Sequence, residues 1–187
     1  QKARERVCAL LAEAGIRAGA PLLAVAPGSI WGTKRWTPEG FAAVARAAPG
    51  LGLVPVLVGS PGERALCEEV ARASGTGAAN LAGRCRIPEL AAALARGVAL
   101  VSNDSGAGHV ASAVGTPVVA IFGPTVVSFG YTPFGAANRV VEHPSLACRP
   151  CDRHGPMTCP LGHFRCMREI PPERVLDALR DVLRARS

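Results

Sequence analysis

Residues 101–125 read VSNDSGAGHVASAVGTPVVAIFGPT, and the fold follows from how this stretch is parsed. An apolar run from Val98 to Val101 breaks into Ser102-Asn103-Asp104-Ser105-Gly106, and a helical pattern then runs from about Gly106 to Gly115. Thr116-Pro117 restarts a β-branched run, Val118 to Phe122, which ends in a second turn at Gly123-Pro124-Thr125. The order strand, tight turn, helix, strand aims a helix N-terminus, with its unpaired N–H groups and positive dipole end, at the carboxyl edge of a parallel sheet. Phosphate binds well at such a place. A purely structural reading competes: Asp104 and Ser105 are N-cap residue types, and Gly106 and Gly108 ease the turn. His109 tips the balance, because a titratable ring on the first turn beside an anion-ready helix end serves a ligand better than it serves packing.

Outward from this unit the pattern repeats. Residues 2 to 14 place Val7, Leu10 and Leu11 on one side of an amphipathic helix that stops at Gly15. A chain that begins in mid-helix without Met reads as a piece of something longer. Leu22 to Ala26 is a short buried strand, followed by the turn Pro27-Gly28-Ser29 and a loop that carries Trp31, Lys34, Arg35 and Trp36. Thr37-Pro38-Glu39 opens a helix with an N-cap and proline at its first position. Leu53 to Val58 is a strand, and Ser60-Pro61-Gly62-Glu63 has the spacing of a capping box on a helix through Ala73. A strand stub at 80–83, an Ala-rich helix from Pro88 to about Arg96, a strand from Arg139 to Glu142, a cysteine loop at 148–166 and a helix from Pro171-Pro172 to Arg186 complete the chain. The expected division is a linker helix over 1–20, a Rossmann-like domain over 21–145, a Cys-rich loop over 146–170 and a terminal helix over 171–187. Strands alternating with helices imply an α/β fold, a parallel sheet with helices on both faces, whose ligands bind outside the carboxyl ends of the strands. The turns at 27–34, 59–63 and 102–109 all fall at that edge.

Composition bounds the rest. With 187 residues, 49% hydrophobic but only 4% aromatic, the chain is long enough for a real core, built mainly of Ala, Val and Leu. No apolar run is long enough to span a bilayer and the opening residues are charged, so a cytoplasmic location is expected. A net charge of +7 favours anionic partners and admits peripheral association with an anionic membrane. Aromatic side chains to stack bases are nearly absent, which argues against nucleic acid. Of seven cysteines, Cys8, Cys67 and Cys85 are dispersed, while Cys148, Cys151, Cys159 and Cys166 cluster with His154 and His163. Three states of that cluster stay open: a thiolate-bound metal such as structural zinc, disulfides, or reduced thiols.

Two segments carry a resemblance. APGSIWGTKRWTPEGFAAVA, followed some seventy residues later by VSNDSGAGHVASAVGTPVVAIFGPT, resembles the ADP-heptose:lipopolysaccharide heptosyltransferases of glycosyltransferase family 9. The tail CRPCDRHGPMTCPLGHFRCM is similar to the heptosyltransferase II branch. The resemblance implies the GT-B architecture, two Rossmann-like domains facing across a cleft, of which this chain matches the carboxyl-terminal, donor-binding half. It further implies that Asp104, Ser105, Gly106 and His109 surround the diphosphate and sugar of ADP-heptose. Lys34 would contact phosphate with Ser29 hydrogen-bonding near it, Glu63 would reach the adenosine ribose, and the backbone around Cys85 would border the adenine.

Plain alternatives stand beside these roles. Lys34 can be a solvated surface cation, Ser29 can close its turn, Glu63 can serve its capping box with or without a ribose, and His109 can be a satisfied helix histidine. Trp31 and Trp36 read as packing anchors. The implied chemistry is inverting transfer of heptose to a hydroxyl of the lipopolysaccharide inner core, with no divalent ion required and no Asp-x-Asp pair to hold one. The general base and the acceptor site belong, in the family, to the amino-terminal domain, so this chain is expected to bind nucleotide without turnover. A non-catalytic nucleotide-binding module that docks a partner is the other reading. An oxidoreductase lacks its GxGxxG after the first strand, and a Ser105 hydrolase lacks the GxSxG elbow.

Overall fold

The computed structural model describes residues 1–185. Six strands form one parallel sheet: β1 (Leu22–Ala26), β2 (Val54–Leu57), β3 (Ala79–Asn80), β4 (Gly97–Asn103), β5 (Val118–Phe122) and β6 (Arg139–Glu142). Their order across the sheet is β3-β2-β1-β4-β5-β6, so the chain reverses its direction of travel between β1 and β4. That reversal opens a crevice at the carboxyl ends of the two strands. The helices are α1 (Lys2–Glu13), α2 (Pro38–Ala47), α3 (Arg64–Ser74), α4 (Ile87–Arg96), α5 (Gly106–Ala113), α6 (Arg165–Arg168) and α7 (Pro172–Arg184).

Both faces of the sheet are covered, which is why β1 and β5 are buried at every position and show no polar alternation. Successive side chains feed opposite layers. Leu23, Val25, Val101, Val119 and Ile121 pack with Phe41 and Val44 of α2, Val70 of α3 and Val175 and Leu179 of α7. Leu22, Ala24, Leu100, Ala120 and Phe122 pack with Val7, Leu10 and Leu11 of α1, Leu94 of α4 and Ala111 of α5. Trp36 and Phe41 meet edge to face at 5.0 Å, and the Trp36 indole donates to the Ile170 carbonyl at 3.1 Å.

Several boundaries differ from the sequence reading. β4 continues two residues past Val101, because Ser102 and Asn103 pair with Ala120 and Ile121 of β5. β3 occupies 79–80 in place of 80–83, since the chain turns away at Gly83, whose φ is +75°. Glu63 closes a 3-10 turn ahead of α3, and the cysteine segment contains the short helix α6. The expected end of the last helix at Arg186 lies outside the described residues. Among the described residues no helix is long and apolar enough to cross a membrane.

Candidate functional site

A cavity of ≈ 660 Å³ opens at the carboxyl edge of the sheet. Ser29 and Lys34 reach it from the turn after β1, Glu63 from the turn after β2, and Asp104, Ser105, Gly106 and His109 from the turn after β4. Seven of the eight binding residues expected from the sequence therefore share one wall-to-wall space. Cys85 does not line it. Its thiol packs toward the α1 and α4 layer, while Ile87 and Leu90 at the start of α4 line the cavity. Trp36 is a packing anchor as expected, whereas Trp31 lines the cavity.

The centre of the site is an ion pair. Lys34 ends a 3-10 turn at Gly32–Lys34, and its Nζ lies 2.5 Å from Asp104 Oδ2, with both side chains less than a tenth exposed. Lys34 is thus no solvated surface cation. The Thr125 hydroxyl donates to the same Oδ2 at 2.9 Å, and the Tyr131 ring centre lies 5.2 Å from the Lys34 ammonium. Burying such a pair is favourable only when the remaining polar atoms are satisfied, and Thr125 contributes to that. Asp104 is accordingly spent on Lys34. The N-cap of α5 is Ser105, and no side chain caps the helix. An added Cβ at Gly106 would meet nothing within 4 Å, so the α5 N-terminus stays open to the cavity.

Asn103, last residue of β4, ties the neighbouring turn down. Its side-chain nitrogen donates to the Pro27 carbonyl at 2.8 Å, and its oxygen accepts from the Trp36 amide at 2.9 Å. Glu63 does form its capping box, accepting from the Ser60 amide at 2.7 Å. Its other oxygen lies against Gly28, where a Cβ would come within 1.9 Å, so only glycine lets the carboxylate fold over that turn into the cavity.

The segment that contains the cysteine loop forms the far wall. The Thr33 hydroxyl donates to the Pro156 carbonyl at 2.5 Å, the Cys151 amide donates to the Pro124 carbonyl at 3.0 Å, and His154 faces the cavity. Arg149 fastens this wall: it donates to the carbonyls of Gly123, Thr125 and His143 and to the Glu142 carboxylate. All seven cysteines are free thiols. Among the described residues no three of His, Cys, Asp and Glu are placed to hold a metal ion. The expected set Cys148, Cys151, Cys159 and Cys166 is therefore not gathered as ligands. Cys151 Sγ turns to the Cys148 carbonyl, Cys148 faces His163, and Cys166 is buried in the core, which pushes its thiol up to about 11.

Thr125, Tyr131 and Arg149 carry no site role in the sequence reading, and His154 enters it only beside the cysteine cluster. Their signal is faint, since each sits in a Gly- and Pro-rich connection where spacing says nothing about direction.

The sequence profile of glycosyltransferase family 9 (heptosyltransferase) matches residues 2–162. The chain is 32% identical over 174 residues to the lipooligosaccharide heptosyltransferase 2 of Campylobacter jejuni, covering 90% of this chain and 53% of the relative. It is 30% identical over 168 residues to the lipopolysaccharide heptosyltransferase 2 of Escherichia coli, covering 87% and 47%. A family 9 glycosyl transferase of Veillonella parvula superposes with a TM-score of 0.81 at 26% identity, over 99% of this chain and 52% of that one. The E. coli ADP-heptose lps heptosyltransferase II shares the fold at a TM-score of 0.78 and 24% identity, over 97% and 52%. The chain thus spans about half the length of the relatives it matches. By profile, identity and fold, it belongs to glycosyltransferase family 9, the heptosyltransferases.

Proposed function

We propose that this chain is the donor-binding half of an inverting heptosyltransferase that takes ADP-heptose and serves lipopolysaccharide core assembly. The single observation that carries the reading is the buried Lys34–Asp104 pair, set beside the uncapped N-terminus of α5 in a cavity at the switch point of the sheet. Support for the sugar nucleotide comes from the relatives, which are named as heptosyltransferases, one of them for ADP-heptose.

In this reading the ribose lies toward Glu63 and the adenine against Ile87 and Leu90, while the pyrophosphate meets Lys34, Ser29 and the Ser105-Gly106 amides. Asp104 holds Lys34 in place and keeps off the phosphates, which its charge would repel. As the bond to the sugar's anomeric carbon breaks, negative charge grows on the departing diphosphate. A fixed ammonium and oriented amides stabilise that charge more in the transition state than in the ground state. These groups take the neutralising role, with no divalent ion assigned. The acceptor and the base that removes its proton belong to the part of the relatives' length that this chain does not match, on the cytoplasmic side of the membrane.

Calorimetry tests the reading. The chain should bind ADP and ADP-heptose, and Lys34→Ala should weaken ADP roughly tenfold to a hundredfold, the value of one charge-assisted hydrogen bond, while leaving adenosine unchanged. An unaltered ADP affinity in that variant would overturn the proposal. ADP-heptose binding no tighter than ADP would favour a sugar-blind nucleotide module that docks a partner.

A further inference from the structure

The turns that line the cavity follow the order of the strands. Glu63 stands after β2, Ser29 and Lys34 after β1, and Asp104 to Gly106 after β4. Beyond them come Tyr131 after β5 and His154 after β6. If the ribose lies at Glu63 and the phosphates at Lys34, whatever is bonded to the second phosphate extends toward the last two. That end is not a random surface. The Tyr131 hydroxyl and His154 Nδ1 are 3.2 Å apart, and their rings are 5.7 Å apart. Phe129 braces Tyr131 edge-on at 6.3 Å.

The backbone brings His154 to its place. Gly155, the next residue, has φ +87°, and an added Cβ there would lie 3.0 Å from Pro124 Cγ and 3.2 Å from Thr33 Oγ1. Only glycine lets the chain descend so closely onto the Lys34 turn. On the other side the His154 amide donates to Asp152 Oδ1 at 2.8 Å.

We propose that Tyr131 and His154 form the sugar subsite of the donor cavity, binding hydroxyl groups of the sugar carried on the second phosphate. Resting on the donor-site reading above, this names the residues that distinguish a nucleoside diphosphate sugar from the bare nucleoside diphosphate. A phenol and a neutral imidazole can each donate or accept, which matches sugar hydroxyls, themselves both donor and acceptor. Tyr131 has a second duty, its ring lying near Lys34, and a change that keeps the ring separates the two.

The test is calorimetry of the 187-residue chain with ADP and with ADP-heptose, in wild type, Tyr131→Phe and His154→Ala. Each variant should weaken ADP-heptose roughly threefold to tenfold, the value of a neutral hydrogen bond, and leave ADP within about twofold. Equal losses for both ligands would overturn the assignment, because the pair would then be serving the phosphates or the fold. Unchanged ADP-heptose affinity would overturn it as well. A wild-type chain that binds ADP yet gains nothing from the sugar sinks this inference and leaves the nucleotide reading standing; one that binds neither sinks both.

Discussion

Two segments meet over Lys34, and they are held by opposite means. The turn after β4 is part of the sheet: Asn103 and Asp104 are buried, and their side-chain polar atoms are bonded to Pro27, Trp36, Lys34 and Thr125. The loop at 143–164 has no strand and little apolar cover, with Met157 and Leu161 exposed. One guanidinium, buried and donating to three carbonyls and a carboxylate, stands in for the core the loop lacks. The two supports join at Thr125, whose hydroxyl serves Asp104 and whose carbonyl serves Arg149. A polar site can thus be fixed by secondary structure or by a single well-saturated side chain, and this cavity uses one on each wall.

The largest effect should come from breaking the sheet-held side. Asp104→Ala leaves the Lys34 ammonium buried without its counter-charge, a change that costs about 3–5 kcal/mol in comparable pairs. For a chain of this size the unfolding midpoint should fall on the order of 10 °C. A fall under about 2 °C in a thermal melt would mean that Lys34 swings to solvent at little cost, and the distinction between the two walls would lose its basis.

Arg149→Ala should act differently in kind. Losing a charged donor to several carbonyls costs about 2–3 kcal/mol, but the loss belongs to the loop, whose opening is local. Limited trypsin digestion should cut at Arg153 and Arg165 well before the sheet unfolds. Arg149→Lys should not restore protection, because an ammonium lacks the planar fork that spans carbonyls on two segments. Equal loss of loop and sheet would show that the cysteine loop is an integral part of the core after all.

The same contrast explains what the sequence makes legible. Strands β1, β5 and β6 and the capping box at Ser60 follow from local chemistry, so composition and spacing place them. Ser29 and Lys34 follow β1, Asp104 and His109 follow β4, and the motif resemblance joins them in one site. The place of Tyr131 and His154 in the cavity does not show in the sequence because it depends on long-range contacts: Gly155 against Pro124 and Thr33, and Arg149 across three carbonyls. Cys85 shows the reverse limit. The resemblance implies a place for the backbone around it, whereas the direction of its side chain is set by which layer has room for it.

Thiol ionisation gives the smallest test of the comparison. Burial, reinforced by the Glu63 carboxylate, pushes the core thiol of Cys67 from 9.0 up to about 12, and burial pushes Cys166 up to about 11. A raised folded pKa means that the unfolded chain loses its proton first. The stabilisation is therefore whole below pH 9 and is lost as the pH climbs toward 12 for Cys67 and 11 for Cys166. At pH 10 each thiol should cost about 1.4 kcal/mol relative to neutral pH, and Cys67→Ala or Cys166→Ala should each remove that share of the alkaline slope in denaturant titrations. Cys159, in the exposed loop, goes the other way: its slight burial raises the thiol, but the backbone N–H groups of Phe164, Leu161, His163 and Gly162 together outweigh it and hold the thiol below its ordinary value. Among the loop cysteines Cys159 should accordingly be alkylated first at mildly alkaline pH, ahead of Cys151 and Cys166, whose thiols burial raises. If Cys166 reacted as fast as Cys159 in the folded chain, the α6 end of the loop would have to open as freely as its tip, and Arg149 could not be the fastening that the geometry makes it.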